Sequence, residues 1–209
     1  MKINPAPLHL AQSIIIGLCT ALSVAVLGCA AHTLDVFNKQ QTSNPWWLPL
    51  WPQHFTTAGT KALIGSAVSV LILSTVFLVF ALVPKLNLAN RPTLRALLAI
   101  GTTLPSALVT LVTIIYAHIL NHDSPELDTI QTWTCKYKNS RPMDQDISMP
   151  SNMGNGSFGS LCHQSKFALY GTLTVFLLLV GSFGITTLTW LADKWAARSN
   201  RKEVEMTGQ

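Results

Sequence analysis

His118 and His122 stand four residues apart, and Asp123 and Glu126 follow closely. Residues at i and i+4 share a helix face, so the two imidazoles, with Glu126 as a third donor, form a candidate metal-ligand set. Imidazole suits Zn or Cu, and a catalytic centre with three protein ligands keeps a further position open for water or substrate. Such a set would make the protein a metal-dependent enzyme or a metal sensor. The competing reading is a solvated helix end, where polar side chains gather without any ion. The chain has no Gly-x-Ser-x-Gly, His-Glu-x-x-His or kinase motif, and no Gly-x-x-x-x-Gly-Lys phosphate loop.

The four cysteines fall into two pairs. Cys19 and Cys29 lie within one apolar run. On a single helix they would be separated by roughly 15 Å, too far for a bond that needs Cα atoms within about 7 Å. They are expected to stay free. Cys135 and Cys162 lie in a long polar segment, where a disulfide would close a loop and stabilise by about 3–4 kcal/mol in the chain-entropy model. A redox role would need a reactive Cys-x-x-Cys pair, and the chain has none.

The elements that must position these groups are apolar. The 209 residues are 49% hydrophobic and 11% charged, where a soluble domain carries about a quarter charged residues. Four uncharged runs are long enough to cross a bilayer, at residues 10–31, 62–83, 96–120 and 167–191. The first is too long for an ordinary signal-peptide core, although Val26-Leu27-Gly28-Cys29 resembles a lipoprotein cleavage box and Ala30-Ala31 could end a secretory signal. Ala21, Ala25 and Cys29 in the first span, and Gly65 and Ser69 in the second, offer small-residue faces for helix packing. Pro105 predicts a kink in the third span, with Thr102, Thr103 and Ser106 available to the freed carbonyl of Gly101. No Asp, Glu, Lys or Arg lies inside a span. That argues against an ion-coupled transporter, a pump or an intramembrane hydrolase, whose proton and ion paths need such groups.

The segments between spans carry the recognition candidates. Residues 32–61 become aromatic at Pro45-Trp46-Trp47-Leu48-Pro49-Leu50-Trp51-Pro52. Trp46, Trp47 and Trp51 suit either a lipid-interface anchor or an exposed patch for a partner protein. In residues 121–166, the stretch Ile130–Tyr137 alternates and would place Trp133, Cys135 and Tyr137 on one side of a strand. Met149–Ser160 is rich in turn residues, and Asn155-Gly156-Ser157 is a glycosylation acceptor. In the tail, residues 192–209, Lys194, Arg198 and Lys202 share a helix face.

Charge sets the expected orientation. With the N-terminus in the cytoplasm, the inner pieces hold eight basic and three acidic residues, and the outer segments six of each. The outer segments are about twice as long, so basic density is higher inside, as the positive-inside rule requires. The net charge of +5 falls on the inner side, which suits an anionic leaflet and removes the case for nucleic-acid binding.

Four spans, Leu48-Pro49-Leu50-Trp51 in the first outer loop and a disulfide-forming pair in the second resemble the claudin-like and MARVEL-like group of four-span membrane proteins, including small fungal members. Leu48-Pro49-Leu50-Trp51 is similar to the claudin Gly-Leu-Trp element, without the two cysteines that follow it there. The Cys-Cys-Gly signature of tetraspanins is also missing. The expected fold is an all-α transmembrane four-helix bundle forming a single domain, with a disulfide-tied extracellular loop that leaves room for a short β-hairpin. The resemblance implies a non-enzymatic protein without cofactor, in the plasma membrane or secretory pathway. Such a protein organises membrane proteins or lipids by lateral and outer-loop contacts, with lipids, a membrane-protein partner or a second copy as its neighbours. An accessory subunit of a transporter or channel is the other non-enzymatic alternative.

Overall fold

The computed structural model describes residues 6–42, 51, 54–83, 92–124, 126–139 and 155–207. Four long helices carry the fold: α1 (Ala6–Thr42), α2 (Ala58–Leu82), α3 (Pro92–His122) and α5 (Phe158–Thr207). A short helix, α4 (Ile130–Tyr137), lies between the last two. Strands β1 (Phe55–Thr56) and β2 (Asp128–Thr129) pair in parallel, and a 3-10 turn at Asn155–Ser157 leads into α5. All four long helices are long and apolar enough to cross a membrane. They pack in a ring: α1 touches α2 and α5, α3 touches α2 and α5, and α2 meets α5 only lightly.

Polarity is inverted relative to a soluble fold. The side chains turned outward are Leu10, Ile14, Leu18, Leu97, Leu108, Val112, Leu177 and Leu188, each at least half exposed. Those turned inward include Gln12, Ser23, Ser66, Ser74, Thr103, Ser106, Thr110, Thr172 and Ser182, all nearly sealed. Water would penalise such an exterior, whereas lipid tails accept it and leave small and polar residues to join the helices. Two interhelical hydrogen bonds follow from this interior: Thr20 Oγ1 donates to Ser74 Oγ at 2.9 Å, and Gln12 Nε2 donates to Thr186 Oγ1 at 2.7 Å. Most other inward hydroxyls donate to a carbonyl of the preceding turn, as Thr103 does to Ala99 O and Ser106 to Thr102 O. Apolar layers fill the remaining depth, one around Ile16, Val70, Phe77, Val175 and Leu179, the other around Val26, Leu63, Ala67 and Ala168.

Several expectations need correction. The small-residue faces Ala21/Ala25 and Gly65 point outward, and packing uses neighbouring stripes at Ser23, Val26 and Ala30 and at Ser66, Ala67 and Val70. A stripe's width on a helix is about 100°, so a shift of one or two residues exchanges the inner and outer faces. The hydroxyls of Thr102, Thr103 and Ser106 serve the carbonyls of Leu98, Ala99 and Thr102 rather than that of Gly101. The helices also outrun the spans expected for them. α1 continues eleven residues past Ala31, and α5 starts nine residues before Phe167.

α1 and α5 approach closely at Gly171. A Cβ on Gly171 would lie 2.7 Å from Val26 Cγ2, well inside contact distance. Val26 is buried and branched, so it has little room to yield. Gly171→Val is expected to destabilise the protein by about 1–3 kcal/mol through overpacking. Thermal unfolding in mild detergent should show the loss, and Val26→Ala in the same chain should restore most of it.

Candidate functional site

The feature with the most constructed geometry is a cap at the end of the helices where α1 and α3 finish and α5 begins. It starts from Asp128 and Thr129. Thr129 is the N-cap of α4: its Oγ1 accepts from Thr132 N at 3.2 Å, while Thr132 Oγ1 accepts from Thr129 N at 2.8 Å. This reciprocal arrangement satisfies two otherwise orphan donors. The buried Asp128 accepts from Ser124 Oγ at 2.8 Å and from Thr132 Oγ1 at 3.3 Å. Its backbone N–H donates to His54 O at 3.1 Å, joining the chain before α2 to the chain after α3. Thr129 Oγ1 also donates to Asn121 Oδ1 at 2.7 Å, and Asn121 Nδ2 reaches Gln131 Oε1 at 3.3 Å.

These ties make Ile130–Tyr137 a helix, not the expected strand, and no hairpin forms among the described residues of 121–166. The alternating pattern lost to the capping box, which commits the backbone at Thr129. In the helix, Ile130 and Thr134 are sealed on the inner face. Trp133 and Tyr137, also four apart, pair with ring centroids 4.4 Å apart on the half-exposed face. Lys136 Nζ lies 5.4 Å from the centre of the Tyr137 ring. Cys135 and Cys162 are bonded, with Cα atoms 4.8 Å apart, and clamp α4 to the first turns of α5. Cys19 and Cys29 are free.

An aromatic cluster supports the cap from the α1 side. Phe37 stacks on Phe55 at 4.8 Å and meets Trp51 edge-on at 4.9 Å. Trp51 in turn lies 5.0 Å from Phe55 and 5.5 Å from Phe158. Trp51 is thus half-buried in a cluster of four rings, which together bury more area than one ring at a surface. Trp46 and Trp47 lie outside the described residues. Phe158, expected in an exposed turn, is sealed, and Asn155 lies in the 3-10 turn just before it. The run Gly154-Asn155-Gly156-Ser157-Phe158-Gly159 has Gly-x-Gly-x-x-Gly spacing, but no strand precedes it among the described residues, so a dinucleotide fingerprint lacks its context. Below this cluster, away from the cap, His32 Nδ1 and Gln164 Oε1 bridge α1 and α5 at 2.8 Å.

Beneath α4 is a small cleft bordered by Thr33, Thr60, Asn121, Thr129, Gln131 and Ser165, with no acid, base or thiol on its walls. It offers hydroxyl and amide hydrogen-bonding groups, and no acid or base among its lining residues stands beside the hydroxyls to activate them. His118 and His122 are exposed on α3, and Glu126 is exposed in the turn beyond. Among the described residues no three His, Cys, Asp or Glu side chains converge in a way that could hold a metal ion. At the opposite end of the helices, Lys194 Nζ sits 4.1 Å over the Trp190 ring, and Trp195 is exposed. Arg198 and Lys202 follow on the same continuous helix. No protein-family model, curated protein or solved structure matches the chain.

The helical outer ends and the cap had partial signals in the sequence. Thr33, Phe37 and Gln40 follow one another at helical spacing, and all three are buried. Thr129-x-x-Thr132 is a capping pattern with Thr in the place usually taken by Glu or Gln. The convergence of Phe37, Trp51, Phe55 and Phe158 joins three separated segments and had no local signal.

Proposed function

We propose that this chain is a four-span integral membrane protein that organises neighbouring membrane proteins or lipids without catalysing a reaction. In this reading the four helices form a transmembrane bundle with both termini in the cytoplasm. The cap lies on the outer side of the plasma membrane or a secretory compartment, where a disulfide persists. The observation that carries the reading is α4. This eight-residue helix is too short to hold itself, yet it is clamped by a capping box, a strand pair and a disulfide. A shaped cap bearing the paired rings of Trp133 and Tyr137 suits recognition, for which rigid aromatic groups are favoured anchors. The claudin-like and MARVEL-like resemblance belongs to the same proposal. The tail complements it, since Lys194 over Trp190 sets a cation against an amphipathic ring where the apolar part of α5 ends, an arrangement that suits an anionic inner leaflet.

Orientation is tested first. Epitope tags at either terminus should need permeabilisation for detection, whereas a tag at Asn152 should not. Asn155→Gln should remove a glycosidase-sensitive mass from protein made in a secretory pathway. A surface-exposed N-terminal tag would overturn the orientation. Recognition is tested by cross-linking in intact membranes: Trp133→Ala with Tyr137→Ala should abolish the wild-type cross-linked species while leaving membrane yield unchanged. An unaltered cross-linking pattern would remove the cap from the proposal.

A further inference from the structure

Midway along the ring of helices lies a cavity to which each long helix contributes one hydroxyl: Ser23 from α1, Ser66 from α2, Thr110 from α3 and Thr172 from α5. Val26, Ala67, Val70 and Val175 complete its walls. Ser23 is 1% exposed and Ser66 2%, and neither Oγ has a hydrogen-bond partner among the protein groups. This departs from the usual habit of helix serines in an apolar setting, which donate to a carbonyl of the preceding turn. The two threonines do follow it: Thr110 Oγ1 donates to Ser106 O at 2.9 Å, and Thr172 Oγ1 to Ala168 O at 2.7 Å. Their protons are committed, but their oxygens can still accept.

The four residues that line the cavity together carry two uncommitted O–H donors and two hydroxyl acceptors. We infer that this cavity is a binding site for a single water molecule, held by Ser23, Ser66, Thr110 and Thr172 and joining all four helices. Water supplies the matching complement, accepting from the serines and donating to the threonines. The space is about that of one water. A metal cation is disfavoured, because none of the eight lining residues carries a charge to offset it. An apolar guest would leave two buried hydroxyls unpaired. The inference is independent of any partner of the cap.

Two measurements decide it, both on the full-length protein in lipid nanodiscs. A density map at a resolution that shows ordered water should contain one peak within hydrogen-bond distance of at least three of the four hydroxyls. Thermal unfolding supplies a sign. With the water present, Ser23→Ala or Ser66→Ala removes a partner from a bound molecule and should lower Tm by about 2–4 °C. In a dry cavity the same substitutions remove an unsatisfied hydroxyl and should leave Tm unchanged or raise it. A raised or unchanged Tm, a site without density, or xenon binding at the same point would overturn the inference. Should an alanine variant fail to fold, the wild-type map still decides.

Discussion

Cys135→Ser should lower the free energy of unfolding by about 3–4 kcal/mol and free α4 from α5 without affecting membrane insertion. The bond spans 27 residues of sequence, and removing it restores to the unfolded chain the freedom that the closed loop denies it. The folded state keeps the capping box, the Asp128 contacts and the burial of Ile130 and Thr134. An eight-residue helix held by these alone should open locally well below the temperature of global unfolding. Unfolding in mild detergent without reductant should show the lowered midpoint. Limited proteolysis should cut the variant near Lys136 and Lys138 while the wild type resists. Insertion depends on the apolar helices and should be unchanged by alkaline extraction. Equal midpoints and equal cleavage patterns would mean that the disulfide does not hold the cap.

Leu177→Arg should have an effect of similar size through a different cause. Leu177 is 60% exposed on α5. At an exposed position of a water-soluble protein, a charge usually changes stability by less than about 0.5 kcal/mol. At the centre of a spanning helix, an arginine costs about 2.5–3.5 kcal/mol on the insertion scale. The variant should be lost from the membrane fraction or retained and degraded, while Leu177→Ile at the same position should behave like wild type. Normal yield and normal extraction behaviour for the arginine variant would contradict the membrane reading of the outward-facing residues. Thr172, five residues earlier and buried, makes the comparison sharper: on α5 the polar residue is inside and the apolar one outside.

The four long apolar helices were legible in the sequence because uncharged runs of span length have few other uses. The disulfide was legible because only Cys135 and Cys162 fall in the same polar segment. Helix ends were less so. Hydropathy marks where a chain is greasy, not where its backbone stops being helical, and α1 continues through His32, Asp35 and Lys39 with an exposed Asp35–Lys39 ion pair at 2.6 Å. The inward faces were displaced because smallness alone was followed in Ala21, Ala25 and Gly65, while the interior selects hydroxyls as well. The cap was hidden for a third reason. Trp51 and Phe158 meet only after α2, α3 and α4 have been placed between them, so their partnership depends on topology and not on spacing.

α5 continues without interruption for 50 residues, from Phe158 to Thr207, a rod of about 75 Å. It is bonded to α4 near one end and carries Lys194, Arg198 and Lys202 toward the other. A helix turns by about 100° per residue, so its two ends are geared. Deleting one residue between Leu188 and Lys194 would rotate the basic stripe about a quarter of a turn relative to the cap while shortening the rod by about 1.5 Å. Deleting four would restore the stripe to within about 40° of its original azimuth. The chain therefore fixes a phase as well as a length between the disulfide and Lys194.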